Sequence, residues 1–168
     1  MKNVTIYCRG SRNHDHRMGW FLAGLECDSV QKHVFSDLED ATADQCLLVG
    51  FIEAVMLIKE PCRLRLVCAT EIAFTRTGQP RGRNKELKRL LLRAIKARKC
   101  EAEFDIQKGC GRAIKQKLAE IERAGRRVEC RGFVTEWDDD ERAAASAGSR
   151  PARSNAKVWR TVCEMVDR

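Results

Sequence analysis

Apolar and polar residues alternate from the start of the chain. Val4, Ile6 and Cys8 face one way and Thr5, Tyr7 and Arg9 the other, the period of two that predicts a β-strand. Gly10 and the polar run to Arg17 are expected to close it. Met18 to Leu25 and Val30 to Ser36 read as two further strands, joined through Glu26-Cys27-Asp28-Ser29 as a hairpin. An acidic loop, Asp37 to Asp40, leads to Thr42, a hydroxyl residue suited to cap the helix that should run to Lys59, with Pro61 just beyond its stop. Cys46, Leu47, Val49, Phe51, Ile52, Val55, Met56 and Leu57 make this helix apolar nearly all round, which predicts packing on more than one side.

The alternation returns from Arg63 to Thr70, where Leu64, Leu66 and Cys68 set a fourth strand. Gly78 to Arg83 reads as a flexible loop. Asn84 is placed to cap a helix whose stripe is Leu87, Leu90, Leu91, Ala94 and Ile95. Ala102, Phe104 and Ile106 mark a fifth strand, and Gly109-Cys110-Gly111 turns into a helix from Arg112 to Ala124 that Gly125 stops. The expected order is βββαβαβα over residues 1–125. Beyond it, residues 126–141 read as a strand or arm ending in the acidic run Asp138 to Glu141, and 142–155 as an Ala/Ser/Gly/Arg linker. Residues 156–168 carry Val158, Trp159, Val162, Met165 and Val166 at helical spacing, the pattern of a short amphipathic helix suited to docking a protein partner.

Charge changes the picture because it is concentrated. The formal net charge is +8, yet between Phe74 and Cys100 ten basic residues stand against the single acid Glu86, so the remainder is near neutral. Arg76, Arg81 and Arg83 fall in the loop, and Lys85, Lys88, Arg89, Arg93, Lys96 and Lys99 in or beside the helix. A basic segment on a neutral body points to a polyanion. The nine cysteines have no C-x-x-C spacing, which argues against a zinc module or disulfide framework and for reduced thiols in a cytoplasmic protein. No signal peptide or membrane anchor is expected. His14-Asp15-His16 has no partner spacing and reads as a loop. Trp20, Phe21 and Phe35 read as core, which argues against stacking of single-stranded bases.

Three segments, in this order and spacing, carry a resemblance: Ile6-Tyr7-Cys8-Arg9-Gly10-Ser11, the helix from Thr42 ending Ile-Lys-Glu-Pro-Cys, and Arg63 to Thr70. Asn84-Lys85-Glu86-Leu87 with Leu90-Leu91, and Phe104 to Gly111, extend it. Over about residues 2–124 the chain resembles a ribonuclease H type 1 domain. The resemblance implies an α/β fold with a ribonuclease H-like mixed five-stranded sheet, helices on both faces, and a C-terminal extension outside it. It also implies four metal-binding carboxylates, and the positions that match them are Arg9, Leu47, Ala69 and, in a looser alignment, Gln116. The family's loop histidine is matched by Cys110.

Two-metal hydrolysis needs clustered carboxylates to hold two divalent cations. Leucine and alanine cannot ligate magnesium, and Arg9 sets a fixed positive charge where the cations would sit. No metal or other cofactor is therefore expected and no catalytic residue is assigned. Asp44 and Glu71 are the two acids near enough to rebuild part of a site. Arg9 is expected either to hold a phosphate oxygen or to pair with Asp44. The expected function is a non-cleaving ribonuclease H-like protein that binds nucleic acid, RNA or an RNA-containing duplex, through Arg9 and the basic segment. The alternative is a protein-interaction module, such as a subunit or inhibitor of a nucleic-acid-processing complex, that docks through its surface and the tail residues Val158, Trp159 and Val162.

Overall fold

The computed structural model describes residues 1–132. The chain runs β1 (Lys2–Asn13), β2 (Met18–Cys27), β3 (Val30–Glu39), α1 (Ala43–Met56), β4 (Cys62–Cys68), α2 (Lys85–Ala97), β5 (Glu101–Ile106), α3 (Gly111–Ala124) and β6 (Arg126–Arg127). The strand order is β5-β4-β1-β2-β3-β6. β1, β2 and β3 pair antiparallel, while β4 and β5 extend the sheet parallel to β1. β6, two residues long, adds a sixth strand parallel to β3 at the start of residues 126–141. With helices on both faces, this is the expected architecture, compatible with a ribonuclease H-like fold. The tail residues Val158, Trp159 and Val162 lie outside the described residues.

α1 and α2 cover one face. α1 is buried from Gln45 to Met56, packed between the sheet and α2, as its all-round apolar sequence requires. Thr42 caps it in a full capping box: its hydroxyl accepts from Gln45 N, and the Gln45 side chain accepts from Thr42 N. α3 covers the other face more thinly, setting Ile114 and Leu118 on Leu22 and Val67. Gly24 makes room for it, since a Cβ there would meet Ile121 and Leu118 at 2.9 and 3.1 Å.

Several boundaries differ from expectation. Gly10 does not break β1, because nine residue pairs with β2 carry the strand through it to Asn13. Asp37 to Glu39 are strand, paired with Met18 to Trp20, so the acidic loop shrinks to the turn at Asp40. The hairpin turn is Asp28-Ser29, with Asp28 at φ 51°. Asn84 stands at the N-cap of α2 in a left-handed conformation, φ 59°, and makes no side-chain cap bond. The stretch after β4 is held rather than loose. Phe74 bridges Pro80, Thr75 N donates to Gln79 O at 2.7 Å, Arg81 N donates to Ala73 O at 3.1 Å, and the Phe74 ring lies 4.9 Å from that of Phe104.

Candidate functional site

The β1–β4 register ends at Tyr7 opposite Val67. Arg9 and Ala69 each lie two residues past that last pair, on the α3 face, where Ala69 packs against Leu22, Val67, Ile114 and Leu118. Gly111, at the start of α3, sits over Ala69; a Cβ on it would stand 3.9 Å from the Ala69 Cβ. From the other face, Gly10 lets α1 approach so closely that a Cβ would stand 2.3 Å from Ala43 O and 2.5 Å from Leu47 N. Arg9 and Ala69 thus stand just past the last β1–β4 pair on the α3 face, and Leu47 on α1 meets Gly10 from the other face. Gln116 lies on α3, exposed.

Arg9 makes no ion pair among the described residues, Asp44 included. Its guanidinium instead lies over the Trp20 ring, 5.1 Å from the centroid. Leu47 is 4% exposed, and its carbonyl accepts a 3.5 Å bond from the Cys8 thiol. Cys8 and Cys68 turn away to the α1 face, both buried, as the alternation predicts. Burial pushes the Cys8 thiol well up and Cys68 to about 11, so both are protonated at neutral pH.

A cavity of about 290 Å³ opens between the start of α1, the segment after β4 and the start of α2. Asp44, Leu47, Glu71, Arg81, Arg83 and Lys88 stand in its wall. Asp44 and Glu71 do converge here. But Glu71 pairs with Lys108 at 2.9 Å, which holds its carboxyl below the usual range, and the cavity wall also carries Lys88 and two guanidinium groups. Among the described residues no three His, Cys, Asp or Glu side chains are placed to hold a metal. A divalent cation of the kind the resemblance implies thus finds two carboxylates against three cations, a donor set that does not fit it. His14-Asp15-His16 forms an exposed turn in which Asp15 N donates to the Asn13 side chain at 3.0 Å.

The basic segment divides. Arg76, Arg81, Arg83, Arg93, Lys96 and Lys99 are exposed, and Lys85 and Arg89 are half-buried, with Arg89 paired to Glu86. Lys88 is different. Expected off the apolar stripe, it is instead 6% exposed, because position 88 falls within the buried arc of Leu87, Leu91 and Ala94. Its ammonium donates to Arg81 O at 2.6 Å and fastens the loop to α2. Burial lowers its pKa first, Arg81 and Lys85 add to the lowering, and Asp44 opposes them.

The structure corrects two more expectations. Phe21 is fully buried, but Phe35 is 37% exposed and Trp20 is half-buried. They lie on the α3 face, where Trp20 packs against the cluster of Leu22, Val67, Ile114 and Leu118, and their rings lie 6.0 Å apart. The signal was present in the sequence: Phe35 is in phase with Gln31, His33 and Asp37, the polar side of β3. The described cysteines are all free, as expected, though Cys110 is exposed at the start of α3 rather than in the core.

Compared with known proteins, 66 residues of this chain are 33% identical to Ribonuclease H of Sulfurovum sp. (strain NBC37-1). The match covers 39% of this chain and 45% of that protein, so the chain spans less than half the length of the relative it matches. No family model matches the chain. No helix among the described residues is long and apolar enough to cross a membrane.

Proposed function

We propose that this chain is a ribonuclease H-like protein that holds nucleic acid, RNA or an RNA-containing duplex, without cleaving it. The observation that carries the reading is a juxtaposition. Where the resemblance puts carboxylates, in β1, on α1 and just after β4, stand Arg9, Leu47 and Ala69. The adjoining cavity is flanked by the exposed guanidinium groups of Arg81 and Arg83. Fixed cations with bidentate reach bind phosphate oxygens well and do not activate water. The partial likeness to a named Ribonuclease H points the same way. A cytoplasmic setting belongs to this reading and is supported by the eight free cysteines among the described residues.

The interface consists of Arg9 with Arg76, Arg81, Arg83, Lys85, Arg89, Arg93, Lys96 and Lys99. Lys88 contributes by anchoring the Arg81 backbone rather than by touching phosphate. The test is binding of a duplex RNA as a function of salt for the parent and for a variant with Arg76, Arg81 and Arg83 changed to Gln. Affinity should fall for all sequences alike, and the salt slope should flatten by about one unit for each phosphate no longer neutralised. Unchanged affinity and slope would transfer the function to protein docking, which depends weakly on salt.

A further inference from the structure

On the α3 face of the sheet α3 packs on Leu22, Val67 and Gly24, and beside Leu22 the same face carries half-buried Arg9, half-buried Trp20 and Phe35, which is 37% exposed. The register orders them. Arg9 is opposite Leu22 and Leu22 opposite Phe35, so Arg9 and Phe35 share one row across three strands, about 10 Å apart. Trp20 lies in the next row, between Ser11 and Asp37, with the Arg9 guanidinium over its ring and the Phe35 ring 6.0 Å from it. No carboxylate among the described residues neutralises Arg9. A fixed cation beside an exposed Phe35 tilted against half-buried Trp20 is a platform for a flat, electron-rich ring attached to an anion.

We infer that this platform takes an unpaired nucleobase of a single-stranded nucleic-acid segment, stacked on Phe35 against Trp20, with its phosphate on Arg9. The inference deepens the nucleic-acid reading above and rests on it: it assigns an unpaired nucleotide to the sheet face, while the basic segment follows the backbone. Arg9 stands two residues past the last β1–β4 pair on the α3 face, and the loop with Arg81 and Arg83 follows β4. Asp37, in register with Trp20 on the same face, repels phosphate on the β3 side and sets the backbone over β1. A duplex cannot use the platform, because its bases are already stacked and paired.

The experiment measures binding of the full chain to a short single-stranded RNA, to the same sequence as a duplex, and to a strand of equal length with abasic sites. Phe35→Ala should weaken single-strand binding roughly tenfold and leave duplex binding unchanged, whereas Phe35→Trp should keep both. The parent should bind the abasic strand no better than Phe35→Ala binds the intact one. Phe35 is exposed, so its replacement is expected to spare the fold, which a melting curve checks. Arg9→Gln should weaken single-strand binding and flatten its salt dependence. Equal single-strand affinity for the parent and Phe35→Ala, or full affinity for the abasic strand, overturns the platform even if the basic segment binds. Weakened binding by Phe35→Ala with none in the Arg76, Arg81 and Arg83 variant keeps the platform and overturns the basic-segment reading. No binding to any strand overturns both.

Discussion

Gly10 on β1 and Leu47 on α1 meet backbone to backbone: a Cβ on Gly10 would stand 2.5 Å from Leu47 N. The same Cβ would stand 2.3 Å from Ala43 O, so both near neighbours are main chain and neither can swing aside. Gly10→Ala should therefore push α1 off β1. The expected destabilisation is about 1–3 kcal/mol or more, the usual cost of overpacking a filled interior. A denaturant titration measures it. A variant as stable as the parent would mean that α1 is not seated where the residues place it.

Leu47→Glu restores one carboxylate to the matched position without restoring a site. At 4% exposure and without a cation, the new carboxyl should be raised in pKa by desolvation. A carboxyl whose folded pKa is raised destabilises the fold increasingly as pH rises above its unfolded value. The variant should therefore lie several kcal/mol below the parent at neutral pH and recover much of that deficit near pH 4. Melting curves at the two pH values test this. A deficit independent of pH would mean the side chain reaches water through the cavity.

The sheet order and helix faces are legible in the sequence because they rest on periodicity: Val4, Ile6, Cys8 and Leu64, Leu66, Cys68 alternate cleanly, and α1 is apolar all round. What the sequence hides is local. Gly10 reads as a breaker, yet its absent side chain is what admits α1, a reason that lies in another element. Lys88 reads as surface by residue type, but its ammonium escapes the interior by reaching Arg81 O, a partner seven residues back whose position depends on the loop fold. Trp20 and Phe35 read as core by hydrophobicity alone, although Phe35 is in phase with the polar Gln31 and Asp37 on β3. The placement of Arg9, Leu47 and Ala69 is legible because strand register and one helix approach fix it. The mixed charge of the cavity is not, since Glu71, Arg81 and Lys88 meet only through the fold after β4.

Lys88→Met tests the loop anchor. The lysine's folded pKa is lowered from 10.5, first by burial. The folded state thus binds fewer protons than the unfolded one below pH 10.5, and stability contributed by this group rises with pH through that window. Methionine removes a desolvated charge and keeps the volume. The variant should be as stable at neutral pH, or more so by about 1 kcal/mol, and should lack the alkaline rise. Amide exchange at Arg81 and Gly82 should quicken, because the 2.6 Å bond is gone. Unchanged exchange would mean the loop is held without Lys88.

Glu26 ties β2 to α3. Lys117 Nζ lies 2.9 Å from its Oε2 and the Gln31 side chain donates to the same oxygen at 2.7 Å, both side chains of the ion pair being less than one-third exposed. The Lys117 hydrogen bond first, then that of Gln31, holds the carboxyl below 4.5. A lowered folded pKa gives stability that is present above the unfolded value and lost as pH falls through the folded one. Glu26→Gln should cost about 0.5–1 kcal/mol at neutral pH, and the difference should close at acid pH. Parallel stability curves for variant and parent down to that range would remove the ion pair from the account of how α3 is held.

With magnesium or manganese, the parent should not hydrolyse an RNA–DNA hybrid. Two-metal hydrolysis requires carboxylates enough to hold two cations, and the cavity offers Asp44 and Glu71 beside Lys88, Arg81 and Arg83. Lys108 already holds Glu71 at 2.9 Å. Any cation entering must break that pair and meet three fixed or buried positive charges. The assay follows cleavage of a labelled hybrid by the parent and by Asp44→Ala and Glu71→Ala. All three should leave it intact. Metal-dependent cleavage by the parent that either substitution abolishes would establish that the acids serve as a displaced site, and the reading of a non-cleaving protein would be withdrawn. Cleavage equal in all three would point instead to a contaminating nuclease, which purification of Arg9→Gln alongside the parent would expose.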